Sequence, residues 1–283
     1  MGKILVTGAN GNIGSYVVDE LVRRGKFVKA GVYSVQKAMF HDPQVEIVPF
    51  NFMDEKTFDE ALRDVDRVFL VRPPQLANPK RDMKPFLTAT KVHGVSQIVF
   101  VSLMGVEKNP LVPHRKIEKM IKELNIPYTF LRASFFMQNL NTAHLNDIKL
   151  RDELYMPVGK AKTSFIDTRD IATAAAICLC EDSHIGKAYT LTCSEALDYY
   201  EVERILSVEL GRKIEYKNPG TFEFRRTLIA RGTEPTFANV MMMLYVATKL
   251  GTASKITSDT EELIGRKPIT MKQYAEDYRE LWI

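Results

Sequence analysis

The first 24 residues limit the fold more than any other part of the chain. KILVT at 3–7 is a β-branched run. GANGNIG at 8–14 then sets glycines at 8, 11 and 14 ahead of an amphipathic stretch at 13–24. Strand, glycine turn and helix in that order make a βα unit. One glycine permits the tight turn, one lets backbone amides approach a ligand, and one lets the helix pack close to the strand. A helix N-terminus with free N–H groups favours phosphate. Gly8, Asn10, Gly11, Asn12, Ile13 and Gly14 are therefore expected to cradle the pyrophosphate of a dinucleotide. A tight strand–helix turn without ligand would use the same glycines.

The next hundred residues repeat the same texture. β-branched runs at 27–32, 45–50, 67–71, 97–102 and 128–132 alternate with amphipathic stretches at 56–64, 82–93 and 114–125. Strand alternating with helix predicts an α/β fold, a doubly wound parallel sheet with helices on both faces, and near-continuous apolar strands suit burial on both sides. Beyond 133 the pattern loosens: helices are expected at 170–180, 199–210, 222–250 (interrupted at 232–235) and 270–282, with a short strand at 188–192. The expected organisation is a nucleotide-binding domain at 1–135 plus about 160–180, and a smaller, mostly helical C-terminal lobe at 136–160 and 181–283, in one compact unit.

Composition excludes several classes. A formal net charge of +4, with basic residues spread along helix faces, gives no footprint for direct nucleic-acid binding. No apolar run reaches the ~20 residues that span a bilayer, and KILVTG follows Met1 and Gly2 without a basic-then-apolar leader, so no membrane association is expected. Cys178, Cys180 and Cys193 are odd in number and lack metal-ligand spacing. Cys178 and Cys180, in the apolar run IATAAAICLC, read as buried thiols, which suits a reducing cytoplasm, and no metal site is expected.

TGxxGxxG resembles the pattern of the short-chain dehydrogenase/reductase superfamily. RVFLVRPP, a helix ending KVHGV, QIVFVSLMG and HRKIEKMIKELNIPYTFLRASFFMQNL are similar to its atypical NmrA-like branch, as are FIDTRDIATAAAICL and TEELIGRKPITMKQYA. The resemblance covers almost the whole chain. It implies a Rossmann-type fold in a branch that includes NAD(P)H:quinone reductases and redox-sensing regulators.

An acidic residue after the second strand would bind a ribose 2′-OH and repel a 2′-phosphate. Here the sequence is VYSVQK, so NADP is expected, with NAD as the alternative. Where relatives carry Arg this chain has Tyr33, and Lys37 is the nearby cation, a point charge without the fork of Arg. By the superfamily pattern Asn51 and Phe52 touch the adenine, while Val71 and Arg72, opening VRPP, line the pocket wall. Asn51 also reads as a turn residue.

Redox members of the superfamily hold Tyr-x-x-x-Lys on the helix after the fifth strand. This chain has His114 and Glu118 there. At one-turn spacing the two share a face, and a carboxylate beside the imidazole would raise its pKa. His114 then has three readings: proton donor, anchor for a substrate or ribose oxygen, or helix-start residue. Ser102 ends the fifth strand where active members keep a hydroxyl, as a catalytic and cofactor-side candidate or a strand-closing residue. Phe135 and Phe136, with Met137 beside them, offer an apolar surface for an aromatic substrate, and Asn139 could orient its carbonyl; such clusters also form core.

The leading expectation is an NAD(P)H-dependent reductase of quinone-like or small aromatic carbonyl substrates. One alternative is a catalytically weak NAD(P)-binding redox sensor acting through a protein partner. Another is a nucleoside-diphosphate-sugar epimerase or dehydratase. A homodimer is compatible with the amphipathic helices.

Overall fold

The computed structural model describes residues 2–110 and 112–283. Its strands in chain order are β1 (Lys3–Thr7), β2 (Val28–Val32), β3 (Val45–Pro49), β4 (Val65–Leu70), β5 (Gln97–Leu103), β6 (Tyr128–Ala133), β7 (Phe135–Phe136), β8 (Glu153–Tyr155), β9 (Phe165–Ile166), β10 (Ala188–Leu191) and β11 (Glu215–Lys217). The chain forms two units: Met1–Ala133, Thr168–Leu191 and Glu262–Gly265 make the first, and the intervening segments the second.

In the first unit seven strands pair in the order β10-β6-β5-β4-β1-β2-β3, all parallel. The helices Gly14–Arg23 and Thr168–Cys180 pack together on this sheet, and Phe58–Leu62, Lys84–Val92 and Pro113–Glu123 form a second group. That second group closes over Leu5, Val68, Leu70, Ile98, Phe100 and Phe130, with an edge-to-face cluster of Phe50, Phe52, Phe58 and Phe86 at one side. The Rossmann-type fold expected from the alternation is the fold observed.

Element boundaries differ where local chemistry intervenes. The stretch at 56–64 opens as a 3₁₀ turn, Glu55–Thr57, started by the Asp54 side chain accepting from the Lys56 amide. The stretch at 82–93 divides into Pro79–Asp82 and Lys84–Val92. The strand Ala188–Leu191 hydrogen-bonds to β6, so the first unit runs to Leu191 and the boundary expected at 180 moves accordingly. Cys178 is buried, which pushes its thiol up to about 12; Cys180, expected buried, is half-exposed, and all three cysteines are free.

The second unit contains two short parallel pairs, β7 with β9 and β8 with β11. Its helices surround Met137, Leu154, Phe165, Tyr199, Phe224, Tyr274 and Trp282. A capping box, with Asp198 accepting from the Glu201 amide and Glu201 from the Asp198 amide, starts Tyr199–Leu210. The interruption expected near 232 occurs at Gly232, φ +93°, between Thr221–Ala230 and Pro235–Lys249. Among the described residues no helix is long and apolar enough to cross a membrane.

Candidate active site

The strand order reverses between β1 and β4, and ligands of such sheets bind outside the carboxyl ends of the strands at that point. Thr7 closes this edge: its Oγ1 donates to the Phe69 carbonyl at 3.0 Å and accepts from the Val71 amide at 3.0 Å. Gly8 then turns the chain at φ +62°. A Cβ on Gly14 would lie 2.1 Å from the Gly8 carbonyl oxygen, so only glycine lets the helix begin this close to the strand. The Gly11 amide donates to Gly8 at 2.9 Å and the Ala9 amide to Gly31 at 3.2 Å. Among the described residues, the amides of Asn10, Asn12 and Ile13 have no hydrogen-bond partner in the chain. Three donors at the start of a ten-residue helix fit a pyrophosphate.

Beyond β2, Tyr33 is 83% exposed and Lys37 lies exposed on the 3₁₀ turn Val35–Lys37. The first acidic residue after that strand is Asp42. Asn51 Oδ1 accepts from the Met53 amide at 3.0 Å, and the Asn51 amide donates to Thr57 Oγ1 at 3.2 Å, so the turn role is real. Phe52 is buried. Its ring packs 4.7 Å from Phe50 and 5.3 Å from Phe86, so any contact of residue 52 with a base runs through its backbone.

Val71 and Arg72 follow β4. Val71 Cγ1 would lie 3.0 Å from a Cβ on Gly8. Arg72 Nη1 donates to the carbonyls of Pro73 (3.0 Å), Pro74 (3.0 Å) and Leu76 (2.9 Å). The guanidinium therefore staples the proline loop, and prolines, lacking N–H groups, leave carbonyls for it to take. Burial draws the Arg72 pKa down, opposed by the charge of Asp82.

The helix Pro113–Glu123 carries His114 and Glu118, and here the structure reverses an expectation. Glu118 is fully buried. Its Oε1 accepts from Ser102 Oγ at 2.7 Å and from Arg132 Nε at 3.1 Å, while Oε2 accepts from Arg132 Nη2 at 2.9 Å. Ser102 and Arg132 are register partners on β5 and β6, so this carboxylate ties one helix to two strands. The fork of Arg132 meets it bidentately, and that bond raises the Arg132 pKa. Ser102 is fully buried as well, so it serves this strut instead of facing a crevice.

His114 is 9% exposed and stacks on Phe100, ring centroids 5.8 Å apart. Burial, then the charge of Arg72, lowers its pKa to about 3. The expected rise from Glu118 does not occur, because Arg132 and Ser102 hold that carboxylate. Burial and the Arg72 charge both favour the neutral imidazole, an uncharged hydrogen-bonding group, over a proton donor. Burial sets most of this, with Arg72 second, while Arg132 engages Glu118; nothing in the spacing of the helix pointed to either arginine.

Phe135, Phe136 and Asn139 belong to the second unit. The two half-buried phenylalanines form β7, and the Phe135 ring tilts on Tyr245 at 6.1 Å. Asn139 ends a 3₁₀ turn and its carbonyl accepts from the His144 amide at 3.0 Å. Met137 is buried core. This unit has its own buried polar chain. His144 Nε2 lies 2.5 Å from Tyr245 Oη, and Nδ1 lies 3.8 Å from Asp147. Asp147 also accepts from Arg231 at 2.8 Å and Arg151 at 3.3 Å. The spacing of His144 and Asp147 was the one sequence signal for it. Among the described residues no group of three or more His, Cys, Asp or Glu could hold a metal ion.

A sheet that reverses order beside a three-glycine turn with unpartnered amides is the architecture of dinucleotide-binding α/β proteins. Residues 1–275 match the NmrA-like family, and the chain belongs to that family. It is 30% identical over 279 residues to the NAD(P)H azoreductase of Xenophilus azovorans, covering 96% of each chain. Among solved structures, the triphenylmethane reductase of Citrobacter sp. in complex with NADP(H) is 26% identical, with a TM-score of 0.88 and coverage of 98% of this chain and 100% of that one. An NADPH-dependent quinone oxidoreductase from Escherichia coli is 25% identical, with a TM-score of 0.84 and coverage of 97% and 98%.

Proposed function

We propose that this protein is an NADP(H)-dependent reductase of quinones and other small, conjugated carbonyl acceptors. The observation that carries the reading is the commitment of the helix-start residues. His114 stays neutral, and Glu118 and Ser102 are bound to one another and to Arg132. Alcohol dehydrogenation and sugar-nucleotide epimerisation need a strong proton relay, and these groups are poorly placed to give one. A quinone needs little beyond hydride delivery, and a reduced nicotinamide supplies that hydride when bound.

The chain's own part is to bind and orient. The amides of Asn10, Asn12 and Ile13 take the pyrophosphate. Lys37 meets a 2′-phosphate as a point charge, with no carboxylate nearby to repel it. Asn51 and the backbone of Phe52 border the adenine. Phe135, Phe136 and Asn139 are the substrate-side residues of this reading. The names of the relatives support it: an azoreductase, a triphenylmethane reductase complexed with NADP(H) and a quinone oxidoreductase. The free, high-pKa thiols suit work in a reducing cytoplasm.

The test is NADPH oxidation by purified protein with a panel of benzoquinones and naphthoquinones beside simple alcohols and ketones. Quinone-dependent turnover with no alcohol oxidation is the expected result. Background rates with every acceptor would sink the reductase reading, and tight dinucleotide binding without turnover would favour the sensor.

A further inference from the structure

The helix Pro235–Lys249 holds no charged residue before its last position. Apolar side chains stand on all its faces, and a helix of that kind is ordinarily buried all round. Only one stripe of it is. Ala238, Met241, Tyr245 and Thr248 are buried, the first three of them in the core of the second unit. Val240, Met243, Ala247 and Leu250 repeat the same spacing about 160° further round the helix. This outer seam has the heptad spacing by which helices pair, and it lies open: Met243 is 68% and Leu250 78% exposed. Phe222, on the neighbouring helix Thr221–Ala230, is 81% exposed. A groove of about 390 Å³ runs between the two helices, lined by Thr221, Phe222 and five residues of 242–250, none of them charged.

We infer that this face is covered by a second copy of the chain, the two Pro235–Lys249 helices pairing antiparallel about a two-fold axis that passes between Met243 and Ala247. Three observations favour that occupant. The first is area. With large side chains at roughly 150–250 Å² each, the exposed apolar side chains of the two helices present roughly 700–800 Å². That exceeds the ~300–600 Å² of the largest patch on an ordinary monomer and matches the ~800 Å² each partner gives to a standard interface. The second is complementarity. A two-fold contact meets itself, and here it sets Met243 against the partner's Ala247 and Val240 against the partner's Leu250, large against small each time. The third is charge. Glu234 caps the start of the helix and Lys249 stands in its last turn, so an antiparallel pair lays each acidic end at a basic one and opposes the two helix dipoles. Asn239, at the flank, is held by Arg225 Nε at 2.5 Å, outside the seam. A helix that lies on a membrane keeps a cationic polar face turned from the lipid; this one has none, since its other face is core. The pairing does not depend on the reductase reading. It would steady the helix whose inner residue Tyr245 backs Phe135 at 6.1 Å.

The test is sedimentation velocity of the full-length protein across the micromolar range. The wild type is expected to run as a reversible dimer, at twice the chain's 32.2 kDa. Met243→Glu puts two carboxylates beside the axis and is expected to raise the dissociation constant at least about thirtyfold, the scale of a hot-spot residue. Leu250→Glu, at the end of the seam, is expected to raise it about tenfold, and keeps the test open where Met243→Glu does not fold. Val92→Glu, at a position 78% exposed in the first unit, is expected to dimerise as the wild type does. Register is read by cross-linking. Met243→Cys together with Ala247→Cys, in a Cys180→Ser background, is expected to give a covalent dimer on mild oxidation, since facing seam positions come within disulfide reach. A wild type that stays at 32.2 kDa throughout, or seam variants that dimerise as tightly as the wild type, would overturn the proposal. A dimer that fails to cross-link would overturn the antiparallel seam. A monomer that sediments with phosphatidylglycerol vesicles would overturn the pairing by giving the face to lipid.

Discussion

The two units each bury a histidine with a carboxylate one helical turn away, and the outcomes are opposite. On Pro113–Glu123 the carboxylate of Glu118 is claimed by Arg132 and Ser102 across two strands, and His114 is left beside the cation of Arg72. Around Leu145–Arg151, Asp147 stays 3.8 Å from His144 while also taking Arg231 and Arg151, and these partners hold its carboxyl below the usual range against the opposing effect of burial. Helical spacing decides which side chains are able to meet. The guanidinium that a neighbouring strand or helix brings decides which of them do.

This contrast is strongest at the carboxylates. Glu118→Ala leaves Arg132, whose side chain is only 17% exposed, with the half-exposed Glu107 at 3.5 Å as its remaining ion pair, and should cost about 3–5 kcal/mol in urea unfolding, as breaking a buried pair does. Asp147→Ala should cost less, about 2–3 kcal/mol, because Arg231 and Arg151 are 25% and 38% exposed and can turn toward water. If Asp147 proved the costlier of the two, the distinction between a sealed strut and an open cluster would fail.

The histidine in the first unit has its own signature. In the unfolded chain its proton binds with the ordinary value of 6.5, and in the folded chain at about 3. Between those limits the unfolded state holds more protons, so stability is complete above pH 6.5 and falls as pH drops toward 3. His114→Phe should erase that part of the acid slope while changing stability at pH 7 by about 1 kcal/mol or less. Asp147 acts in the same direction, its contribution lost as pH falls through its own lowered value, so the Asp147→Ala protein should keep the histidine slope. An unchanged slope in His114→Phe would show that burial and the cation beside it do not hold the imidazole neutral. The smallest effect should come from Lys37, exposed and outside either cluster. Lys37→Ala is expected to weaken NADPH about three- to fivefold, the scale of an exposed ion pair, and to leave both NADH affinity and stability unchanged in parallel titrations.

Much of the first unit could be read from residue order alone. Long apolar strands separated by amphipathic stretches leave few alternatives, and two glycines of the turn meet demands that disfavour any side chain: Gly8 turns at φ +62° and Gly14 leaves no room for a Cβ. The second unit was less legible. β7 and β9 are two residues each and β8 and β11 three, too short for any periodicity to register. The return of Ala188–Leu191 to the first sheet depends on pairing with a strand more than fifty residues earlier. In the site, the turn around Asn51 and the loop at Gly8 were visible because their partners lie within a few positions. The engagement of Glu118 was not, since Arg132 is fourteen residues away on another element, and Arg72 is forty-two residues from His114. The packing of the Phe52 ring was hidden for the same reason: its partner Phe86 comes from a helix much further along.

The division of the chain has a consequence for heredity. It alternates between the two units in six segments, so it passes from one to the other five times. No single cut releases either unit whole, and no single uninterrupted stretch of gene encodes the nucleotide-binding half. A recombination event that swapped Met1–Ala133 as one block would carry six of the seven sheet strands and leave β10 behind with the rest of the chain. A foreign block of this kind has to fit the resident β10 along the whole of its pairing with β6.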